Sequence, residues 1–198
     1  MSNTRKVILL TGVPGVGKTT IAALLSERLK GVHVNLSELA LAEGLVTGYD
    51  SIRETSIVDL ERTTTRLMEI IREGRDPLVI EGHFSQDVVS PERVSNVFVL
   101  RRAPWRLKDE LESRGYNPEK VKENVEAELL DVCLVEAIEA YGKEKVCELD
   151  TTDVEANEII ETITSVLRGE RSCEVGIDWL SHPEARELLG GDRQSTSS

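Results

Sequence analysis

Residues 12–19 read Gly-Val-Pro-Gly-Val-Gly-Lys-Thr and fit the pattern G-x-x-x-x-G-K-[ST]. The apolar run at residues 7–10 before this stretch predicts a buried parallel strand. After it, residues 20–29 carry apolar side chains at helical spacing. A strand, a glycine-rich loop and a helix in this order are the context in which the pattern indicates a phosphate-binding loop. A glycine-rich turn that matches by accident is the alternative, and both flanks argue against it.

The residue types of the loop suit phosphate oxygens. Glycines such as Gly15 and Gly17 let successive backbone N–H groups point inward, where side chains would otherwise block them. The loop leads into a helix N-terminus, whose unpaired N–H groups and positive dipole favour an anion. Lys18 can reach the β- and γ-phosphates, the hydroxyl of Thr19 can ligate Mg²⁺, and Thr20 can donate to the α-phosphate. We therefore expect ATP with Mg²⁺ at this loop.

Length and composition predict one globular domain. The 198 residues are 30% charged and 39% apolar, which allows one sizeable core. No apolar run reaches the length of a membrane span, and residues 1–6 are too short and polar for a signal peptide. Cys133, Cys147 and Cys173 show neither a pair spacing nor a metal-binding pattern, so we expect free thiols in a reducing cytoplasm.

The formal net charge of −12 argues against a protein that coats nucleic acid by itself. An acidic surface can attract a basic protein partner. It can equally be an ordinary solvated surface, and charge alone favours this simpler interpretation.

Four further strands are predicted at residues 32–35, 78–83, 96–100 and 146–149. Helices are predicted between them at residues 36–43, 57–73, 104–114, 118–141 and 154–167, with Gly31 as the C′ residue of the first helix and an irregular loop over residues 45–55. This alternation predicts an α/β fold with three layers, in which helices cover both faces of a five-stranded parallel sheet. Ligands of such sheets lie beyond the carboxyl ends of the strands. We expect the site among the glycine loop, Asn35, Glu81 with His83, Arg101 with Arg102, and Asp150.

The tail from residue 169 onward differs from the core in composition. An apolar patch at residues 177–180 is centred on Trp179, and residues 183–189 predict a last short helix. Residues 194–198 are predicted to be disordered. Trp179 is either a packing anchor for the tail or a contact with a partner, and burial statistics favour packing.

Two features narrow the reaction. Glu81 ends the third strand, where P-loop proteins keep a carboxylate for Mg²⁺ or its water; a solvated acid at a strand end is the alternative. The segment from residue 36 to about 59 is long and contains a helix and a loop, the kind of insertion on which small nucleoside monophosphate kinases bind the phosphoryl acceptor. A GTPase would need a base-reading N-K-x-D signal, which the sequence lacks.

Arg101, Arg102, Arg106 and Arg114 lie in a span predicted as strand end, helix and turn. Phosphoryl transfer spreads negative charge over the equatorial oxygens, and an arginine that arrives as a lid closes stabilises this charge while the lid excludes water. Arg114 precedes the hinge-like break at Gly115-Tyr116, so we predict it as the closing arginine. Arg106 can be a solvated helix residue, and Arg101 or Arg102 can serve only to pair with acids.

Several motifs occur in the order known from one family. They are residues 9–20, Asn35-Leu36-Ser37-Glu38-Leu39-Ala40, Gly48-Tyr49-Asp50, Glu81-Gly82-His83 and Arg114-Gly115-Tyr116-Asn117. Together they resemble the small adenylate-kinase-like nucleoside triphosphatases of archaea and eukaryotes, over about residues 5–168. The stretch Ile177-Asp178-Trp179 resembles archaeal members.

The resemblance implies an adenylate kinase-like domain at residues 1–168, with an acceptor-binding segment near 36–59 and a short lid near 113–123, followed by a tail at 169–198. It implies the reaction ATP + AMP ⇌ 2 ADP, with ATP hydrolysis as a second activity. It also implies a basic small-subunit ribosomal protein as partner, and through the ribosome an indirect role in 16S rRNA maturation. By position, contacts to ATP are implied for Gly15, Gly17, Lys18, Thr19, Thr20 and Arg114, with residues 150–153 bordering the adenine.

The chain departs from the family's pattern at positions that concern the metal and the acceptor. The family often has Asp at the position of Glu81, and Glu can act on the metal through water. An arginine of the acceptor helix in some members is Leu41 here, and the arginine that adenylate kinases carry soon after the third strand is missing from Phe84-Ser85-Gln86. Arg53 could substitute for it. Weak anchoring of AMP would favour hydrolysis over kinase turnover.

His83 has two interpretations. It could orient the attacking water or a metal-bound water from the strand face that it shares with Glu81, since a neutral imidazole can accept a proton. Alternatively, it is a buried histidine that hydrogen-bonds a loop. In the leading hypothesis Lys18, Glu81, His83 and Arg114 carry out phosphoryl transfer, and Glu81 binds the metal together with the P-loop threonine.

Two other functions fit the same sequence. ATP binding and hydrolysis could switch the affinity for a ribosomal protein, with kinase turnover incidental. A small-molecule kinase of the shikimate or gluconate type would share the fold.

Overall fold

The fold is built around strand β1 (Val7–Thr11), whose five residues are all buried. The computed structural model describes residues 5–51, 55–74 and 76–190. With strands numbered in chain order, β1 lies between β5 (Leu78–Glu81) and β6 (Val94–Arg101), and β2 (Val32–Asn35) and β7 (Val146–Asp150) form the edges. The pairing is parallel throughout this sheet. The prediction of a five-stranded parallel sheet is confirmed.

Helices cover both faces of the sheet, which confirms the predicted three layers. One face carries the apolar side chains of Val7 and Leu9 and the other those of Ile8 and Leu10, because successive strand residues point to opposite faces. In chain order the helices are α1 (Lys18–Leu29), α2 (Leu36–Ala42), α3 (Leu60–Glu73), α4 (Ser85–Val88), α5 (Pro104–Ser113), α6 (Pro118–Leu129), α7 (Val132–Tyr141), α8 (Ala156–Leu167) and α9 (Pro183–Gly190). Helices α3 and α7 pack on the first face, and α1, α5, α6 and α8 on the second. Within the described part of the chain, no helix is long and apolar enough to cross a membrane.

The segment predicted as an irregular loop contains an antiparallel pair of strands, β3 (Val46–Asp50) and β4 (Thr55–Val58). Ile57 belongs to β4, so the prediction that the next helix starts at residue 57 is wrong. Helix α3 begins only at Leu60, because the side chain of Asp59 accepts a hydrogen bond from the backbone N–H of Arg62 at 3.1 Å and caps the helix there. The predicted role of Arg53 lies outside the described residues.

The helix predicted over residues 118–141 is interrupted between α6 and α7. Asp131 takes a left-handed conformation with φ of 57°. Arg101 Nη2 donates to the backbone carbonyl of Glu128 at 2.8 Å, which is the carbonyl that Val132 would use in a continuous helix. An ion pair between Arg101 and Asp131 holds the same bend. The break therefore comes from a residue distant in sequence, which helical periodicity cannot reveal.

The end of α1 differs from the prediction that Gly31 is its C′ residue. Lys30 takes the left-handed conformation, with φ of 51°, and α1 ends at Leu29. Gly31 is needed for another reason: a Cβ on it would lie 2.4 Å from the carbonyl oxygen of Pro77. The chain therefore passes too close to the start of β5 for a side chain at this position.

The tail after α8 runs back along the outer edge of β7. Cys173 forms a disulfide with Cys147 of that strand, so the expectation that all three cysteines are free thiols is wrong for this pair. Cys133 is free, and burial raises the pKa of its thiol to about 11. The pairing escaped sequence reasoning because only the reversal of the tail brings residues so far apart in the chain together. The predicted disorder of residues 194–198 falls outside the described part.

Arg101 anchors the tail to the core. It is 1% exposed, donates from Nε to Glu128 Oε1 at 2.6 Å, and also pairs with Glu148 and Asp131. Trp179 donates from Nε1 to the same Glu128 oxygen at 2.9 Å and is buried, which confirms the packing interpretation of this tryptophan. Burial raises the pKa of Glu128 from its ordinary value, and the attraction to Arg101 offsets only part of this effect.

Candidate active site

The glycine loop lies at the carboxyl end of β1, and α1 begins at Lys18. Lys18 Nζ donates to the backbone carbonyls of Gly12 at 2.8 Å and Val13 at 2.9 Å, so the ammonium group folds back over the loop. Desolvation lowers the pKa of Lys18 from its ordinary value. Thr19 and Thr20 are exposed in the first turn of α1, where the unpaired N–H groups of the helix face solvent. The loop has the shape and charge that phosphate binding requires.

Gly15 fixes the loop against α5. Its φ of +94° disfavours any other residue, and a Cβ there would lie 2.8 Å from Leu107 Cδ1 and 3.1 Å from Leu111 Cδ2. Since Leu107, Leu111 and Arg114 are spaced by one helical turn each, they project from the same side of α5. The helix that leads into the predicted lid therefore packs directly on the phosphate loop.

Glu81 ends β5 beneath α1 and is 2% exposed. Thr19 Oγ1 donates to Glu81 Oε2 at 3.1 Å, so the two residues predicted to hold the metal are in contact. The other carboxylate oxygen, Oε1, accepts from Asn35 Nδ2 at 3.0 Å and lies 3.2 Å from His33 Nε2. Asn35 was expected at this edge of the sheet, whereas His33 was not among the predicted site residues. His33 lies two residues before Asn35 on the same strand, so both side chains point to the same face of the sheet. This spacing is the sequence signal that could have identified His33.

The donor set suits Mg²⁺. A hydroxyl and a carboxylate are hard oxygen ligands, and Mg²⁺ in nucleotide sites is held by one or two such groups together with phosphate oxygens and water. Thr19 at the start of α1 and Glu81 at the end of β5 are placed to supply these ligands. The residues present therefore fit the predicted metal.

His83 lies outside the strand in which it was predicted. β5 ends at Glu81, and His83 occupies the turn before α4, so the argument that the two share a strand face is wrong. The imidazole is accessible to water and packs edge-on to Phe84, with ring centroids 5.2 Å apart. Desolvation in the cleft lowers its pKa, and the positive charges of Lys18 and Lys120 lower it further. The neutral form therefore prevails at neutral pH.

A cavity of about 440 Å³ opens between His83 and the segment predicted to bind the acceptor. Its walls come from α2, the β3–β4 hairpin, the start of α3 and the turn at residues 83–84. Tyr49 and Leu41 contribute large exposed side chains, and Ser37 and Ser56 contribute hydroxyls. Among the described residues that line it, none is a lysine or an arginine.

The four predicted arginines lie in three different surroundings, because Arg102 and Arg114 share the carboxylate of Glu110. Arg101 is buried in the ion cluster described above, and Arg106 pairs with Asp153 at 2.9 Å on the surface. Arg114 Nη2 lies 2.6 Å from Glu110 Oε1, and Arg102 Nη2 lies 3.9 Å from the other oxygen of Glu110. Pairing with acids is thus confirmed for Arg101, and the closing role of Arg114 stays a prediction.

The predicted lid joins α5 to α6. At its start, the N–H of Tyr116 donates to the carbonyl of Leu111 at 3.2 Å and that of Gly115 to Glu112 at 3.0 Å, which together form a Schellman motif. Asn117 Oδ1 then accepts from the N–H of Lys120 at 2.8 Å and caps the start of α6.

The loop predicted to border adenine contacts the phosphate loop. Thr151 Oγ1 donates to the backbone carbonyls of Val16 at 3.1 Å and Arg101 at 2.9 Å. Thr152 Oγ1 accepts from the N–H of Ala103 at 2.7 Å. The hydroxyl of Thr151 thus joins the end of β7 to the glycine loop, and that of Thr152 joins it to the start of α5.

Comparisons with known proteins identify relatives of this chain. Residues 8–131 match the family described as AAA domain. A protein of Methanothermobacter thermautotrophicus named "Putative adenylate kinase" is 46% identical over 171 residues, which cover 86% of this chain and 94% of that protein. A protein of the same name from Thermococcus onnurineus is 41% identical over 177 residues, covering 87% and 91%.

Solved structures share the fold. Shikimate kinase from Acinetobacter baumannii in complex with shikimate has a TM-score of 0.59 at 16% identity, over 85% of this chain and 96% of that chain. A gluconokinase from Sinorhizobium meliloti has a TM-score of 0.51 at 14% identity, over 83% and 93%. This likeness establishes a P-loop kinase fold, and the names of the archaeal relatives support a kinase. The chain belongs to the AAA-domain family of P-loop proteins, together with those archaeal relatives named putative adenylate kinase.

Proposed function

We propose that the protein is an adenylate kinase, which transfers the γ-phosphoryl group of ATP to AMP with Mg²⁺ and also hydrolyses ATP. The observation that carries the proposal is the contact between Thr19 Oγ1 and Glu81 Oε2, 3.1 Å, beside a lysine-bearing phosphate loop. This arrangement lies at the carboxyl ends of the strands, next to a cavity large enough for a second substrate.

Each group of the loop has a distinct part in the transfer. Lys18 leaves its two loop carbonyls and lies between the β- and γ-phosphates, and the N–H groups at the start of α1 neutralise the remaining charge. Thr19 would ligate the metal, and Glu81 would hold it through bound water. Bound Mg²⁺ supplies further positive charge to the β/γ bridge. In-line transfer depends on positioning and charge, so no covalent intermediate with the protein is needed.

Arg114 completes the site when the lid closes. Its guanidinium exchanges Glu110 for oxygens of the transferring group, and because Arg114 is half-exposed, the ion pair that it gives up is a weak one. His83, neutral at neutral pH, orients the water that attacks ATP when no acceptor is bound. Gly15, Gly17 and the exposed hydroxyl of Thr20 complete the phosphate contacts.

The cavity next to His83 is the proposed acceptor site. Its aromatic and hydroxyl side chains suit a nucleoside, whereas the described lining holds no cation for the phosphate of AMP. We therefore propose that AMP binds weakly and that hydrolysis forms a large share of ATP turnover.

Product analysis of the purified protein with ATP and Mg²⁺, with and without AMP, tests the proposal. Formation of two ADP for each AMP consumed supports the kinase. Equal amounts of ADP and free phosphate without AMP would show a protein that is chiefly an ATPase. Lys18→Ala should lower both activities by about 100-fold or more, because it removes a charge that acts in the transition state. Lys108→Ala is the matched control, since Lys108 is half-exposed and its ion pair is with Glu112, one helical turn away.

A second proposal is an ATP-switched assembly factor that acts in the cytoplasm on the small ribosomal subunit, with 16S rRNA affected only through a bound ribosomal protein. The net charge of −12 supports a basic protein partner. Pull-down of basic small-subunit ribosomal proteins with and without ATP tests this proposal, because capture that does not depend on the nucleotide would contradict it.

A small-molecule kinase of the shikimate or gluconate type is the third candidate, favoured by the hydroxyls of Ser37 and Ser56 in the cavity. A screen of phosphoryl acceptors tests it.

A further inference from the structure

We propose that His33 is a positioning residue for the metal site: it holds one oxygen of Glu81 so that the other faces Thr19 and the metal. The inference rests on the proposed Mg²⁺-dependent reaction and names a residue that neither the sequence motifs nor the relatives assign. It starts from the different contacts that the two oxygens of the buried Glu81 carboxylate make.

The two oxygens of Glu81 have different partners. Oε1 has two, Asn35 Nδ2 at 3.0 Å and His33 Nε2 at 3.2 Å. Oε2 has the hydroxyl of Thr19 at 3.1 Å. Because a carboxylate is planar, two partners on one oxygen fix the direction in which the second oxygen points. That direction is toward the first turn of α1, where the metal of a P-loop site is bound.

The strand register places both partners of Oε1. Asn35 of β2 stands opposite Glu81 of β5, and His33 stands opposite Val79, two residues earlier. Residues two apart on a strand point to the same face, so the side chains of His33 and Asn35 approach Glu81 together. Asn35 is itself fixed, because its Oδ1 accepts the N–H groups of Ser37 and Glu38 at the start of α2. A ring nitrogen that faces a carboxylate donates its N–H, so Nε2 of His33 is the donor in this contact.

A glutamate needs this second partner more than an aspartate does. Glu81 has one more rotatable bond than an aspartate would have, so its carboxylate can take more positions. Asn35 alone would restrain one oxygen and leave the plane of the group free to turn. With His33 added, the carboxylate is held at 2% exposure in a single orientation. Partners that orient a metal ligand in this way contribute to metal affinity without touching the metal.

The test compares His33→Ala and His33→Gln, since the amide of Gln can still donate to Glu81. Val32→Ala is the matched control, because Val32 neighbours His33 on the edge strand and is exposed. Binding of Mn²⁺, as a probe for Mg²⁺, is measured by electron paramagnetic resonance on the protein with bound ADP. Binding of ADP alone is measured in the presence of a chelator, and thermal unfolding checks the fold of each variant.

His33→Ala should weaken Mn²⁺ binding by roughly 10-fold or more while metal-free ADP binding stays within about twofold of wild type. His33→Gln should recover most of the loss, and Val32→Ala should show none. Unchanged Mn²⁺ affinity in His33→Ala would overturn the inference, and so would an equal loss of metal-free ADP binding, which would mark His33 as a packing residue. If the wild-type protein with ADP binds Mn²⁺ no better than free ADP does, the proposed metal-dependent function fails instead.

Discussion

Arg101→Leu tests whether the buried ion cluster holds the protein together. Leucine keeps part of the side-chain volume and removes the charge that faces Glu128, Glu148 and Asp131. Arg101 and the first two acids have side chains that are each 1% exposed, so water cannot replace the lost partner. Two carboxylates would then stay in the core without their cation.

The magnitude follows from this burial. Removal of one partner of a buried ion pair costs about 3–5 kcal/mol, because an uncompensated charge is left behind. Arg106→Ala is the matched control: its pair with Asp153 has a similar length, 2.9 Å, but both side chains are at least half exposed. Exposed pairs contribute about 0.2–1 kcal/mol. The two variants should therefore differ several-fold in their loss of unfolding free energy.

The loss in Arg101→Leu should also depend on pH. Burial raises the pKa of Glu128, and without Arg101 the opposing attraction is gone, so the pKa rises further. A carboxyl group whose pKa is raised in the folded protein binds more protons there than in the unfolded protein. This difference exists at pH values between the pKa of the unfolded and that of the folded protein. Stability therefore falls as the pH rises through the folded-state pKa, and the deficit of the variant should shrink as the pH is lowered from neutral toward the ordinary pKa of a glutamate.

Urea unfolding followed by tryptophan fluorescence measures both effects. Trp179 donates to Glu128 and makes an edge-on contact with Trp105, so the emission reports directly on the cluster. A loss in Arg101→Leu below about 1 kcal/mol, the range of an exposed pair, would refute the reasoning about burial. A deficit that is the same at both ends of the pH range would refute the role of Glu128.

Three further predictions concern the backbone, the tail and the metal site. Gly31→Ala should lower the unfolding free energy by about 1–3 kcal/mol, because its Cβ would lie 2.4 Å from a backbone carbonyl oxygen. Gly176→Ala is the control and should leave the stability unchanged, because the space around Gly176 is open. The midpoints of urea unfolding of the two variants test this prediction. Reduction of the disulfide between Cys147 and Cys173, which are 26 residues apart, should cost about 3–4 kcal/mol in the chain-entropy account, and Cys147→Ser should show no added effect of a thiol reductant. Glu81→Gln keeps the size of the side chain and removes its charge, so we expect kcat to fall by about 100-fold with little change in metal-free nucleotide binding; full activity at ordinary Mg²⁺ would contradict the assigned role.

The sheet and the phosphate loop could be predicted because their signals are local. Each parallel strand is a short apolar run, and the loop from Gly12 to Thr19 carries its own pattern between a strand and a helix. The β3–β4 pair was missed because its strands are short and partly exposed, so no alternation stands out. The break at Asp131 was missed because its cause, Arg101, is 30 residues away in the chain.

The sequence likewise predicted some residues of the candidate site and missed others. Thr19 and Glu81 were predicted as partners, since each belongs to a motif and strand ends converge in a parallel sheet. His33 was missed because a single histidine on a strand has no pattern of its own, and only the pairing of β2 with β5 brings it to the carboxylate. His83 was placed on the wrong element because the apolar run gives no sign that β5 stops at Glu81.

The course of the tail along β7 has a consequence for how copies of this chain meet one another. The N–H of Glu148 donates to the carbonyl of Glu174 at 2.9 Å, and the carboxylate of Glu148 accepts the N–H groups of Gly176 and Ile177. An uncovered edge strand presents such groups to any other strand and invites sheets to join. In this protein residues 174–177 of the tail cover the edge of β7. A chain that is cut after α8 would expose this edge, and we expect it to self-associate.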